Sequence, residues 1–94
     1  MIEWIVVEPW GRLGFRDWSG RMFVHCEITK WSPALKRQCD LKWEQFKEEM
    51  RGRGVRTLYS AVPMGDKKVR KWQEMFGQRF VKSSRDLALY SQEL

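Results

Sequence analysis

Residues 32–54 constrain the fold more than any other stretch of the chain. Ser32-Pro33 has the chemistry of a helix start: the hydroxyl can accept from a free backbone N–H of the first turn, and proline suits a position where its missing N–H would be unpaired anyway. Leu35, Cys39, Trp43, Phe46 and Met50 then recur at steps of three or four and form one apolar stripe, with Lys36, Arg37, Asp40, Glu44, Lys47 and Glu48 filling the rest. Gly52 and Gly54 close the segment, as left-handed helix ends prefer. The spacing predicts a helix over 33–51 with a single face to bury. At 94 residues the chain has room for one core and one domain, 1–94.

Before this helix the hydrophobic period is two. Glu3 to Glu8 is rich in Trp, Ile and Val, and Pro9 ends it because proline cannot donate to a central ladder. Gly11 to Arg16 forms a second strand with Leu13 and Phe15 on one face, and Asp17-Trp18-Ser19-Gly20 supplies turn chemistry. Arg21 to Thr29 alternates: Met22, Val24, Cys26 and Ile28 point one way, Phe23, His25, Glu27 and Thr29 the other. After the helix, Val55 to Val62 carries apolar or small residues on both faces, which predicts a central strand covered on both sides. Pro63-Met64-Gly65 turns the chain. Asp66 caps a second helix through Phe76, with Val69, Trp72 and Phe76 as its stripe and Gly77 as its end. Phe80 to Lys82 and Leu87 to Tyr90 make a terminal hairpin. The expected architecture is α+β, in the order βββ-α-β-α-ββ.

Composition narrows the function. Six tryptophans in so short a chain exceed what a small core needs, so some indoles are expected at a surface or interface. The net charge of +6 is uneven. Residues 1–29 balance at −1, residues 30–56 at +4 and residues 57–94 at +3, which favours acidic partners such as phosphate groups, nucleic acid or an acidic protein. The apolar runs are too short to span a bilayer, and no basic-then-apolar leader opens the chain, so neither a membrane partner nor secretion is expected. Cys26, Cys39 and the lone His25 have no zinc spacing, and no metal site is expected.

The element order, with a shorter second helix ending in Phe-Gly ahead of a hairpin, resembles the C-terminal core of the GNAT superfamily of N-acetyltransferases. By order the resemblance covers residues 21–94; by motif it covers 66–77. There a frequent family pattern is Asn, Ala three residues on, an aromatic pair and a Leu-Gly-Phe ending, where this chain has Asp66, Val69, Trp72-Gln73 and Phe76-Gly77-Gln78. The family's first strand and two following helices have no counterpart, which leaves a GNAT-like mixed sheet short of those elements. In size and in this degenerate helix the chain looks most like short phage-encoded proteins, some associated with virions or head assembly and others directed against the host.

The resemblance implies an acyl-CoA pyrophosphate held by a glycine-rich loop at the start of the long helix. Here that loop reads Lys30-Trp31-Ser32-Pro33-Ala34-Leu35-Lys36-Arg37, without glycine and with a proline that removes a donor. Lys30, Lys36 and Arg37 remain as candidate anion contacts. The position that matches the family's general-acid tyrosine is Gln73, which delivers no proton at neutral pH. His25 and Glu27 lie on the strand that holds the family's base, and are equally well two polar residues on a half-solvated face.

Three functions follow as expectations. The first is a phage-type GNAT-like protein that has lost acetyltransferase activity, needs no cofactor and works through contact with a host or virion protein or as a homodimer, in host cytoplasm or virion. The second is a minimal N-acetyltransferase for protein lysine, holding acetyl-CoA on residues 28–30 and using Glu27 or His25 as base. The third is a basic nucleic-acid-binding module. It would use Lys67, Lys68 and Lys71, with Arg79, Lys82 and Arg85 nearby, and stack bases on Trp10, Trp18 or Trp31.

Overall fold

The computed structural model describes all of residues 1–94. The elements follow the expected order: β1 (Glu3–Glu8), β2 (Gly11–Trp18), β3 (Arg21–Ile28), α1 (Pro33–Gly52), β4 (Thr57–Pro63), α2 (Lys67–Met75), β5 (Arg79–Ser84) and β6 (Leu87–Glu93). They build one sheet of six strands in the order β1-β2-β3-β4-β6-β5. Neighbours pair antiparallel except β3 with β4, whose parallel pairing is limited to Met22 with Leu58 and Phe23 with Tyr59. Beyond those two rungs the strands diverge.

The predicted caps explain where the helices begin. Ser32 accepts from the Leu35 N–H at 3.2 Å, and Asp66 accepts from the Val69 N–H at 3.1 Å. Arg53, Gly54 and Val55 donate back to the carbonyls of the last turn of α1, with Gly54 at φ +84°, and Gly77 at φ +88° follows α2.

Both helices lie on the same sheet face. The α1 stripe places Trp43, Phe46 and Met50 on Val6, Leu13, Phe15, Val24 and Leu58, and Phe76 of α2 joins that core. A second cluster, Val62, Ala88 and Tyr90, packs under Val69 and Met64. Phe46, Met50, Leu58, Ala88 and Tyr90 are wholly buried. Each large apolar side chain so buried contributes about 1.5–3 kcal/mol, so the helix face holds the fold together.

The other face has no such layer, and one expectation is corrected by it. β4 is central, between β3 and β6, yet it is covered on one side only: Leu58, Ser60 and Val62 are buried, whereas Tyr59 is half-buried and Ala61 and Pro63 are exposed. Apolar residues on both faces of a strand report tolerance of burial, and here only one face has a helix to meet. No helix is long and apolar enough to cross a membrane.

Candidate functional site

Where β3 and β4 diverge, the helix side of the gap is filled by the chain itself. Val24, Cys26 and Ile28 of β3 meet Cys39 and Trp43 of α1 and Val69, Trp72, Gln73 and Phe76 of α2, with Trp10 and Leu13 behind. The space left is about 30 Å³. Over it, the Trp31 ring stacks on Trp72 with centroids 5.6 Å apart and planes 30° from parallel. The Lys68 ammonium sits 5.3 Å from the Trp72 ring centre. The Trp43 indole N–H donates to the Phe76 carbonyl at 2.9 Å and ties α1 to the end of α2.

The polar groups around the gap are also committed. Pro33 has no N–H, the Leu35 N–H is bonded to the Ser32 hydroxyl and the Lys36 N–H to the Ser32 carbonyl at 3.0 Å. Ala34 is left as the one free donor of the first turn. The N–H groups of Thr29 and Lys30 and the Thr29 hydroxyl all converge on the Trp10 carbonyl, at 2.8, 3.4 and 3.1 Å. Lys36 is paired with Asp40 at 3.0 Å, while Lys30 and Arg37 extend into solvent without an ion pair. The three expected anion contacts therefore share one end of the molecule but surround no open cradle.

Gln73 lies inside this region, not facing a substrate. The Ser60 hydroxyl donates to its side-chain oxygen at 3.1 Å and also contacts Gln78, which is buried. One hydroxyl hydrogen cannot serve two acceptors, so one of the two amides turns its NH₂ toward Ser60. Sequence reading missed this cluster. The available signal was Ser60 itself, a hydroxyl at the buried phase of an otherwise apolar strand.

His25 and Glu27 do share a face, but it is the helix-free one, away from the gap. Glu27 is bound to Arg12 at 2.7 Å, and that hydrogen bond holds its carboxyl below the usual range. The lowered basicity makes it a poorer proton acceptor. His25 is pushed down by burial and by Arg16, and its Nε2 is buried without a partner, out of reach of an acceptor amine. Burial pushes the Cys26 thiol up to about 12 and raises Cys39 as well, so both stay protonated core residues.

Of the expected contact tryptophans, Trp10 is a correction. It is 5% exposed, its N–H donates to Gln38 at 3.0 Å, and no partner can reach its ring. A turn tryptophan next to a proline reads as surface, but here it folds inward from the β1–β2 turn and meets Gln38 of α1. Trp31 is half-covered by Trp72, and Trp18 is 60% exposed. Lys67, Lys68 and Lys71 are exposed on α2 and make no ion pair.

The helix-free face carries a pattern that sequence reading did not assemble. Cross-strand register puts Arg12 opposite Glu27, Arg16 opposite Phe23 and Trp18 opposite Arg21. Trp18, Phe23 and Tyr59 come from three adjacent strands, with ring centres 5.7 and 5.9 Å apart in succession. Guanidinium groups lie over the rings: Arg12 at 3.9 Å from Trp4, Arg16 at 5.6 Å from Trp18 and Arg21 at 5.5 Å from Tyr59. Gly14 allows Trp4 to lie across β2, since a Cβ there would meet the Trp4 ring at 2.7 Å and the Glu3 carbonyl at 2.6 Å.

With this geometry in view, the comparisons place the fold. No protein-family model matches the chain, and no curated protein matches it. Among solved structures it is similar to a GNAT-family acetyltransferase from Listeria monocytogenes, with a TM-score of 0.61 and 15% identity over 89% of this chain. The match spans 57% of that longer protein. The fold is GNAT-like: a mixed α+β domain with six strands and two helices in the expected order. The cofactor such a fold implies, an acyl-CoA, does not fit the residues present. A gap of about 30 Å³ is an order of magnitude below the ~300 Å³ at which ligand pockets begin; the first turn of α1 offers a diphosphate one free backbone donor, Ala34, besides the unbonded N–H groups of Trp31 and Ser32 ahead of it.

Proposed function

We propose that this GNAT-like domain works by contact and does not transfer acyl groups. The observation that carries the reading is the Trp31–Trp72 stack over a filled gap, at the place where the fold's parallel strands part. The spent backbone donors of residues 29, 30 and 35, the amide at position 73 and the Arg12-bound Glu27 argue the same way. The contact surface is the helix-free sheet face, which presents the exposed Trp18 ring, the half-buried Phe23 and Tyr59 rings and unpaired arginines, the residue types that dominate binding energy in interfaces. A phage-type role, directed at a host component or the virion, belongs to this proposal through the resemblance alone.

Titration calorimetry with acetyl-CoA tests it. Wild-type protein is expected to give no saturable heat at millimolar ligand. Trp31→Ala, which removes the cover but not the filling residues, is expected to remain as silent. Micromolar binding by the wild type, together with acetylation of a lysine substrate that Glu27→Gln abolishes, would establish the minimal acetyltransferase instead.

A further inference from the structure

We propose that the helix-free sheet face binds single-stranded nucleic acid, with bases stacked on Trp18, Phe23 and Tyr59 and phosphates paired with Arg16 and Arg21. This rests on the contact reading above and names its partner class. Three adjacent strands each contribute one ring, and the rings follow one another at 5.7 and 5.9 Å across the sheet. Such a row on an open sheet accepts unpaired bases, since every base has a flat face and stacking needs no particular sequence. Arg16 and Arg21 lie over two of those rings and take part in no ion pair. A cation over an exposed ring is weakly held, so a phosphate can draw each guanidinium aside and free the ring for a base.

Charge selects the partner. The register places Arg12, Arg16, Arg21, Arg79 and Lys82 on this face against Glu27 and Glu93, which gives +3, half the net charge of the chain. Glu27 is already occupied by Arg12. A second copy docking here would bring arginines toward arginines, with Asp17, beside Arg16 and Arg21 at the end of β2, as the one unpaired carboxylate near them. A duplex is excluded by shape. The molecule measures 34 × 32 × 23 Å and presents a broad six-stranded face, whereas a major groove about 12 Å wide admits one helix or a two-stranded ribbon. A flexible single strand can lie across β2, β3 and β4 and reach all three rings. The face is also distinct from the lysines of α2, which project from the opposite side of the sheet.

The test is fluorescence anisotropy with labelled oligonucleotides of about twelve nucleotides, as DNA single strand, RNA single strand and DNA duplex, between about 50 and 200 mM salt. Saturable binding to one or both single strands is expected, at least about tenfold tighter than to the duplex, and the two single-strand arms show which sugar is preferred. Trp18→Ala and Phe23→Ala should each weaken it about five- to a hundredfold, the loss of one stacked base. Arg16→Ala and Arg21→Ala should each lower affinity and reduce the salt slope by about 0.7, while Lys67→Ala and Lys71→Ala change little. Trp18 is exposed, and circular dichroism of its variant confirms folding independently of binding. Equal affinity for duplex, equal losses from the α2 lysines, no saturable binding at low salt, or a poly-glutamate peptide competing as well as the oligonucleotide would each overturn the proposal. The last result would assign the face to an acidic protein. Acetyl-CoA binding at the gap would defeat the contact reading by itself and leave these titrations readable.

Discussion

The two faces of this sheet are made from the same strands, often from neighbouring residues, and they leave their polar groups in opposite conditions. On the helix face, the indole N–H of Trp43, the hydroxyl of Ser60 and the amides of Gln73 and Gln78 bond to one another or to backbone, around a space of about 30 Å³. On the open face, Arg16 and Arg21 have no carboxylate, Trp18 is 60% exposed and the His25 Nε2 has no partner. A face whose polar groups are bonded, Gln92 Oε1 excepted, gains little from a ligand, which would have to displace bonds already made. A face with free cations and uncovered rings has most to gain. On the proposed reading, the gap between β3 and β4 is structural and the open face is the one that binds.

The largest test of that contrast is thermodynamic. Phe46 is wholly buried in the helix-side core, and Phe46→Ala should cost about 3–5 kcal/mol in urea unfolding. Trp18→Ala removes a larger ring from the open face and should shift stability by no more than about 0.5 kcal/mol. Similar losses at both positions would mean that the open face is part of the core, and the division drawn here would fail. Ser60→Ala comes next, at about 1–3 kcal/mol, because it strands the buried amide of Gln78 and the half-buried one of Gln73. Replacing Ser60 by Ala together with Gln73 by Leu should recover part of that loss, whereas a purely steric role for Ser60 predicts no recovery. Ser32→Ala should cost about 1 kcal/mol by removing the α1 cap, without creating acetyl-CoA binding, since Pro33 and the Trp31–Trp72 stack stay in place.

Much of the fold was legible because its signals are local. The Ser32 and Asp66 caps, the stripe from Cys39 to Met50 and the alternation from Arg21 to Ile28 each concern residues a few positions apart, and each appears where spacing put it. What could not be read depends on pairs far apart in sequence. Trp31 and Trp72 meet only because α2 folds back over the gap, Ser60 and Gln78 only because β4 and the end of α2 are neighbours, and Phe23 and Tyr59 only through two rungs of parallel pairing. Trp10 was misplaced for the same reason. Its surroundings in sequence are a turn, and its partner Gln38 is 28 residues away. The coverage of β4 was overestimated because apolar content describes a strand and not the layer that meets it.

The smallest expected effect probes the open face by pH. His25 in the folded chain is pushed below its usual 6.5 by burial first and by Arg16 next, with Glu27 opposing and the N-terminal charge adding to the depression. The unfolded chain therefore binds the proton more readily than the folded one, so this contribution to stability is complete above 6.5 and is lost as pH falls toward the depressed folded value. Glu27 gives a second loss at lower pH. Its folded value lies below the usual 4.5 because of Arg12, so its contribution is held above 4.5 and fades beneath it. Urea midpoints measured from about pH 7.5 to 5 should decline gently. His25→Leu should flatten that decline without lowering stability at the upper end, because it removes a buried nitrogen that bonds to nothing. A decline between about pH 7.5 and 5 that persists in His25→Leu would show that the imidazole is not the group that responds to acid there, since the Arg12–Glu27 pair holds its contribution above 4.5.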